Sequence, residues 1–303
     1  QPDAFAGRNQ YSVITGPSGT TALDPTQPGN VEVGPERSTE LEVGFDVALL
    51  EDRLSGEFSW YNKSTEGALL SVPLPPSVGF SGGMQRNLGQ IDSWGWEASL
   101  NSDIYQSQAF SFDLVVTGSY TMNEIMTLGD FPGTKNIRIG YPYPNHTERY
   151  LVKEAEFVAS GGAYRNEFQE EANGRCDTGV ALGSSTQYGR TEGGPLVACS
   201  GKNSEEMLRG HNFPSYRWSV TPTIRLFNNV LQIHALFDGA YGRMGVQNHW
   251  PTRGYKNTIY TRTQDNPIFV VQDALRAYDP HGGDYDADFW KLLELGLRYQ
   301  IPE

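Results

Sequence analysis

Three acids alternate at Asp284, Asp286 and Asp288, with Tyr285 and Ala287 between them. Calcium takes about 6 to 8 oxygen ligands, so an oxygen-rich stretch of this kind is a candidate site. The glycine and distal glutamate of an EF-hand are missing, and a solvated acidic rim is the preferred reading. Cys176 and Cys199 lie in one long polar segment. A lone pair supplies half the ligands of a usual zinc site. The expectation is therefore one loop disulfide in an oxidising compartment, with unlinked thiols as the alternative. The histidines His146, His211, His234, His249 and His281 show no metal-binding spacing. His234 is expected to make a hydrogen bond on a polar strand face beside Asp238. No nucleophile elbow, phosphate loop or paired-histidine motif occurs, so no enzyme is read here, and no cofactor beyond that calcium. Tyr141, Tyr143, Tyr150, Trp250, Tyr255 and Tyr260 fall in long polar segments. They are candidates for stacking on sugar faces, with plain loop packing as an equal alternative.

These residues need a scaffold, and composition narrows it. The chain has 303 residues and a formal net charge of −13. That balance excludes a nucleic-acid partner, because phosphate binding needs clustered Lys and Arg. No apolar run reaches the roughly 18 residues of a transmembrane helix. The opening Gln1-Pro2-Asp3 lacks the basic-then-apolar pattern of a signal peptide, so the reading is a processed start or further sequence upstream.

Strict alternation then sets the fold class. Leu41, Val43, Phe45, Val47 and Leu49 share one face, and Glu40, Glu42, Gly44, Asp46 and Ala48 share the other. Similar runs follow from Leu54, Ile91, Phe110, Tyr216, Leu231 and Phe289, which makes seven strands. The runs are long enough for a tilted membrane strand, which needs about 9 to 11 residues. Aromatic residues cluster near their ends, at Trp60, Trp94, Trp96, Tyr216, Trp218, Tyr241, Phe289 and Trp290. Connections alternate between short (51–53, 103–109, 227–230) and long (64–90, 123–215, 243–288), as the periplasmic turns and extracellular loops of outer-membrane barrels do. Pro222 breaks the pattern in mid-strand and predicts a local bulge.

The predicted fold is all-β, an antiparallel transmembrane β-barrel segment with long extracellular loops and short periplasmic turns. One partial barrel spans residues 1–303. It comprises an extracellular loop (1–37), two membrane hairpins (38–122), a long extracellular region with room for two further strands (123–215), a membrane hairpin (216–242), an extracellular loop (243–288) and a last strand (289–303). Glu42, Asp46, Glu57, Glu97, Asp113, Arg217, Arg225, His234, Asp238, Glu294 and Arg298 are then lumen-facing, and the apolar faces meet outer-membrane lipid.

Five segments in register also resemble a known family. Gly29–Asp46 reads GNVEVGPERSTELEVGFD, and Tyr61–Thr65 reads YNKST. Leu70–Phe80 reads LSVPLPPSVGF, and Asn87–Glu97 reads NLGQIDSWGWE. Phe289–Pro302 reads FWKLLELGLRYQIP. Together they resemble the C-terminal barrel region of SusC/RagA-type TonB-dependent outer-membrane transporters. Val33-Gly34 and Ser93-Trp94 depart from the family pattern, and 140–202 matches poorly.

The resemblance implies a barrel of about 22 strands around an N-terminal plug. It implies import of large nutrients such as oligosaccharides or peptides, energised by TonB–ExbB–ExbD, and an association with a SusD-like lipoprotein. No plug segment is recognised within this stretch. The expectation is a piece of a longer receptor, or a fragment completed by another subunit in the bacterial outer membrane. The alternatives are a receptor-derived structural or interaction subunit of a surface assembly, and a passive porin-like pore.

Overall fold

A computed structural model describes residues 6–301 except 81, 149–151, 166–170, 201–205, 247–266, 268–270, 272–274 and 276–283. Its main body is a seven-stranded antiparallel sheet. We number the strands β1 (Arg37–Leu49), β2 (Leu54–Glu66), β3 (Gln90–Gln106), β4 (Phe110–Thr127), β5 (Tyr216–Leu226), β6 (Leu231–Tyr241) and β7 (Phe289–Tyr299). They pair strictly in chain order, so the sheet is an up-and-down meander. β1 and β7 are its two edges and do not pair with each other, so the sheet is not closed into a barrel.

The alternation in the sequence becomes two faces because directly opposed residues share a side. Val43 opposes Trp60, Phe45 opposes Phe58, and Leu49 opposes Leu54. An aromatic row crosses five strands in direct register: Trp60, Trp96, Tyr120, Tyr216 and Tyr241. The Tyr120 and Tyr216 rings lie 4.6 Å apart. Bulk on this face is matched by glycine. A Cβ on Gly239 would stand 2.3 Å from the indole of Trp218, its cross-strand neighbour.

This apolar face is open at both edge strands. Leu41, Val43 and Phe45 are 60%, 59% and 62% exposed, and Leu295 and Leu297 are 69% and 70% exposed. A water-soluble sheet would bury such a stripe against a second layer. The buried clusters sit elsewhere. One joins Leu70, Val72 and Leu88 to Ile125, Leu128, Phe131 and Ile137 at the loop end of the sheet. The other gathers Val152, Ala172, Cys176, Cys199, Val271 and Leu275 within the loops.

Several expectations change in detail. Pro222 causes no bulge. Its register with Leu114 on β4 is regular, and the pairing with β6 skips Thr221 and Pro222 without adding a residue. A missing N–H removes a ladder bond but does not require an extra residue. Register shifts lie elsewhere, two in the β3–β4 pairing and one in β7. Glu294 opposes Leu236 and Leu292 opposes Phe237, so Leu293 is the extra residue. It re-phases the strand. Trp290 and Leu292 join Leu295 and Leu297 on the apolar side, whereas Phe289 and Lys291 fall on the polar side with Glu294.

The segment read as the first loop contains a hairpin, Gln10–Thr15 with Thr21–Gln27. The 123–215 region adds eight short strands, from Asn145–Glu148 to Met207–His211, in two four-stranded sheets separate from the main one. Of the short turns, 227–230 is as read, the first gains Leu50, and the middle one is tighter. Residues 107–109 alone connect β3 to β4. Leu50, Glu51 and Asp52 all take positive φ, as do Phe227, Asn228 and Asn229 in the equivalent turn between β5 and β6.

Candidate functional site

The polar face is concave. It lines an open groove of about 740 Å³ that runs from β1 to β6. Glu42 and Asp46 come from β1, Glu57 from β2, Glu97 from β3, Arg217 from β5 and Asp238 from β6. Asp46 and Glu57 oppose each other directly, and like charges in that position repel. Five acids and one arginine on the groove wall make a local charge of 1 − 5 = −4. Asp46, Glu57, Glu97 and Asp238 have no ion-pair partner among the described residues.

Polar bonding on this face is local. Ser59 Oγ donates to Glu42 Oε1 at 2.5 Å. Thr117 and Ser219 hydroxyls meet at 2.7 Å, and Tyr61 reaches Thr121 at 2.9 Å. Lys63 pairs with Glu40 at 3.7 Å, and Arg225 pairs with Asp113. His234 does not bond Asp238. Its Nε2 lies 2.8 Å from Glu294 Oε1 on β7, because register places Gly296 opposite the imidazole and leaves room for it to lean over. Glu294 and Arg298 share the polar side of β7 with Lys291, and Arg298 opposes Gln232.

Above the long-loop end of the sheet stands a layer of loops. Cys176 and Cys199 are joined there as a disulfide, with Cα atoms 4.9 Å apart. The bond ties Glu171–Asp177 to its neighbour Leu196–Ala198 inside the buried loop cluster. One position along, Asp177 is buried and accepts three backbone N–H groups, from Gly179 (2.7 Å), Gly193 (2.7 Å) and Gly194 (2.8 Å). Burial pushes its pKa up, but the three hydrogen bonds outweigh burial and hold it below the usual carboxylate range. Glu192 bridges Lys153 at 2.7 Å and Arg209 at 3.1 Å, and chiefly the Lys153 bond holds its pKa down.

Of the tyrosines singled out as ligand contacts, Tyr141 is 1% exposed and its hydroxyl donates to the Arg190 carbonyl at 2.7 Å. Loop packing describes it. Tyr143 is partly exposed, and its backbone is held by Asn123. Tyr150, Trp250, Tyr255 and Tyr260 lie outside the described residues. Of the three aspartates proposed for calcium, Asp284 and Asp286 lie on a short strand paired with Met244–Val246. Asp288 Oδ1 accepts from the Gly242 N–H at 2.7 Å. No group of three metal-binding side chains occurs among the described residues. His146 and His211 sit on paired strands of the loop layer, and burial lowers the pKa of both.

A family model described as TonB dependent receptor-like, beta-barrel matches residues 2–216. This chain belongs to the TonB-dependent receptor β-barrel family. Curated relatives include TonB-dependent receptor P26 of Formosa agariphila, 24% identical over 301 residues, covering 93% of this chain and 29% of that protein. TonB-dependent receptor P39 of the same organism is 30% identical over 161 residues, 52% of this chain and 14% of that protein. TonB-dependent receptor SusC of Bacteroides thetaiotaomicron is 29% identical over 126 residues, 41% of this chain and 12% of that protein. This agrees with the SusC/RagA-type motifs. The chain spans less than a third of the length of these relatives. The solved structure of the RagAB peptide transporter superposes with a TM-score of 0.69 at 17% identity, over 98% of this chain and 32% of that one. At that identity the likeness is one of fold.

Proposed function

We propose that this chain is an arc of the wall, with its loop layer, of an outer-membrane importer for large nutrients. The reading rests on one observation: seven contiguous antiparallel strands carry an acidic, concave face on one side and, on the other, an apolar face that is most exposed at the two edge strands. That combination suits a wide watery lumen on one side and hydrocarbon on the other. A barrel of few strands would fill its interior with side chains and crowd these carboxylates together, so the arc fits a wide barrel better. In this reading further strands pair with β1 and β7, a plug occupies the lumen, and TonB–ExbB–ExbD supplies the energy. A SusD-like lipoprotein is the proposed extracellular partner.

Import is tested by uptake into cells carrying the complete receptor, with and without a working TonB. Energised import is lost without TonB. Uptake that continues unchanged indicates a passive pore and contradicts the proposal.

A further inference from the structure

A run of unspent hydrogen-bond donors marks one turn of the loop layer. The turn is closed by the Leu182 N–H, which donates to the Gly189 carbonyl at 2.9 Å, and by the Tyr188 N–H, which donates to Ser185 at 3.2 Å. Between them, the amides of Gly183, Ser184, Ser185 and Thr186 donate to no protein group among the described residues. Successive backbone N–H groups in a turn form concavities that suit anions. The hydroxyls of Ser184, Ser185 and Thr186 are likewise uncommitted among the described residues. The turn is docked on the sheet. Ile139 N–H donates to Gln187 and Gly189 N–H to Ile139, both at 2.9 Å, and the Ile125 N–H at the end of β4 donates to the Tyr141 carbonyl at 2.8 Å.

A cavity of about 500 Å³ lies against this turn, within the roughly 300–1,000 Å³ of small-molecule sites. Arg138 and Arg190 stand in its wall. Arg190 is held by the buried Tyr141, whose hydroxyl accepts the Arg190 N–H at 2.8 Å and donates to the Arg190 carbonyl at 2.7 Å. Its guanidinium uses Nε and Nη2 on the carbonyls of Thr178 (3.2 and 3.0 Å) and Gly179 (3.1 Å), which leaves Nη1. Arg138 uses Nη1 on the Thr186 carbonyl, which leaves Nε and Nη2.

Neither arginine makes an ion pair among the described residues. A guanidinium cannot shed its charge in a protein, and a charge withdrawn from water calls for a counter-charge. Both are partly buried. Glu206 also lines the cavity, but it is already engaged and supplies no group to the site. Two cations against that one carboxylate leave the wall positive, in a chain whose net charge is −13.

We infer that this cavity is a site for a tetrahedral oxyanion, a phosphate or sulfate group. Guanidinium forks bind such groups through paired N–H···O bonds. A planar carboxylate is satisfied by one fork. Tetrahedrally placed oxygens draw on both guanidiniums and on the hydroxyls and amides of the turn. The cavity is larger than a bare ion, so it has room for the group either free or as the ester of a larger molecule. The inference stands apart from the importer reading, because an anion site in the loops does not depend on what crosses the barrel.

The test is calorimetric titration of the complete receptor, purified in detergent in a low-salt cationic buffer. The probes are phosphate, sulfate and glucose 6-phosphate, with glucose and acetate as the matched compounds lacking a tetrahedral anion. One equivalent of a tetrahedral anion binds, and glucose and acetate do not compete with it. Binding of the inorganic ions identifies a free-ion site, and binding of glucose 6-phosphate alone identifies an ester site; both support the inference. Arg138→Gln weakens binding about tenfold, the loss expected for a hydrogen bond from a charged group. Ser185→Ala weakens it as well. Its hydroxyl carries no framework bond, so this variant decides the matter if heat-dependent gel mobility shows that Arg138→Gln does not fold. No binding of any tetrahedral anion, acetate or glucose held as tightly, or binding that the folded variants leave unchanged overturns the inference.

Discussion

At Asp177 a single carboxylate holds three backbone N–H groups, those of Gly179, Gly193 and Gly194. Asp177→Ala should loosen the loop layer by about 1–3 kcal/mol, the cost of leaving buried donors unpaired. Faster amide exchange at Gly179, Gly193 and Gly194 is the readout; unchanged exchange contradicts it. The pH dependence has a definite sign. The folded pKa is depressed, so the carboxylate's contribution is complete above the unfolded value of about 3.9 and fades as pH falls through the folded value. Protease nicking of the loops should therefore rise on acidification below about pH 4, on top of an earlier rise below about pH 6.5, where the unfolded chain protonates His146 and His211 more readily than the folded loops do. Beside it, the Cys176–Cys199 bond closes a loop with a sequence separation of 23. The chain-entropy model gives such a bond about 3 kcal/mol. Mass spectrometry without reduction should find the two cysteine peptides joined, and free thiols would count against the bond. Neither the Asp177 knot nor the Glu192 bridge was legible in the sequence. Their partners are backbone groups or residues far along the chain, and no periodicity marks them.

At the scale of strands, the alternation of Leu41–Leu49 or Phe110–Val116 was legible because one face must be apolar along the whole run. Two positions were not. Ser111 alternates as a lumen residue, yet it is only 7% exposed, opposite Arg225 on β5. Burial of that kind depends on the neighbouring strand. The β7 bulge was written in the doubled Leu292-Leu293, which period-2 reading passes over unless both flanks are phased. The bulge makes an unusual prediction. Deleting Leu293 removes the extra residue and leaves both flanks in phase, so folding should survive. Deleting Gly296 throws Leu297 and Tyr299 to the polar side and should prevent assembly. Equal tolerance of the two deletions would rule out the register. Charge placement follows the same faces. Val43→Arg, Leu114→Arg and Leu295→Arg should each cost about 2–4 kcal/mol near the bilayer midplane. Thr223→Arg on the polar face should be near neutral. The heat-dependent mobility of the folded barrel reads both sets.

At the scale of the molecule, the arc is held by pairing within the sheet and by packing in the loops, and in the proposed importer its apolar face depends on the membrane for cover. β1 and β7 keep unpaired backbone groups along one side each, which hydrocarbon does not tolerate. In the complete receptor both edges should be hydrogen-bonded by residues outside this chain. The central claim is that the two faces of the arc meet different solvents. It is tested most directly by single spin labels along β1, from Leu41 to Val47, in the complete receptor in lipid bilayers. Collisions with oxygen report lipid, and collisions with a water-soluble nickel chelate report the lumen. The account predicts oxygen maxima at Leu41, Val43, Phe45 and Val47, alternating with nickel maxima at Glu42, Gly44 and Asp46. A profile without alternation, or one in the opposite phase, would contradict it.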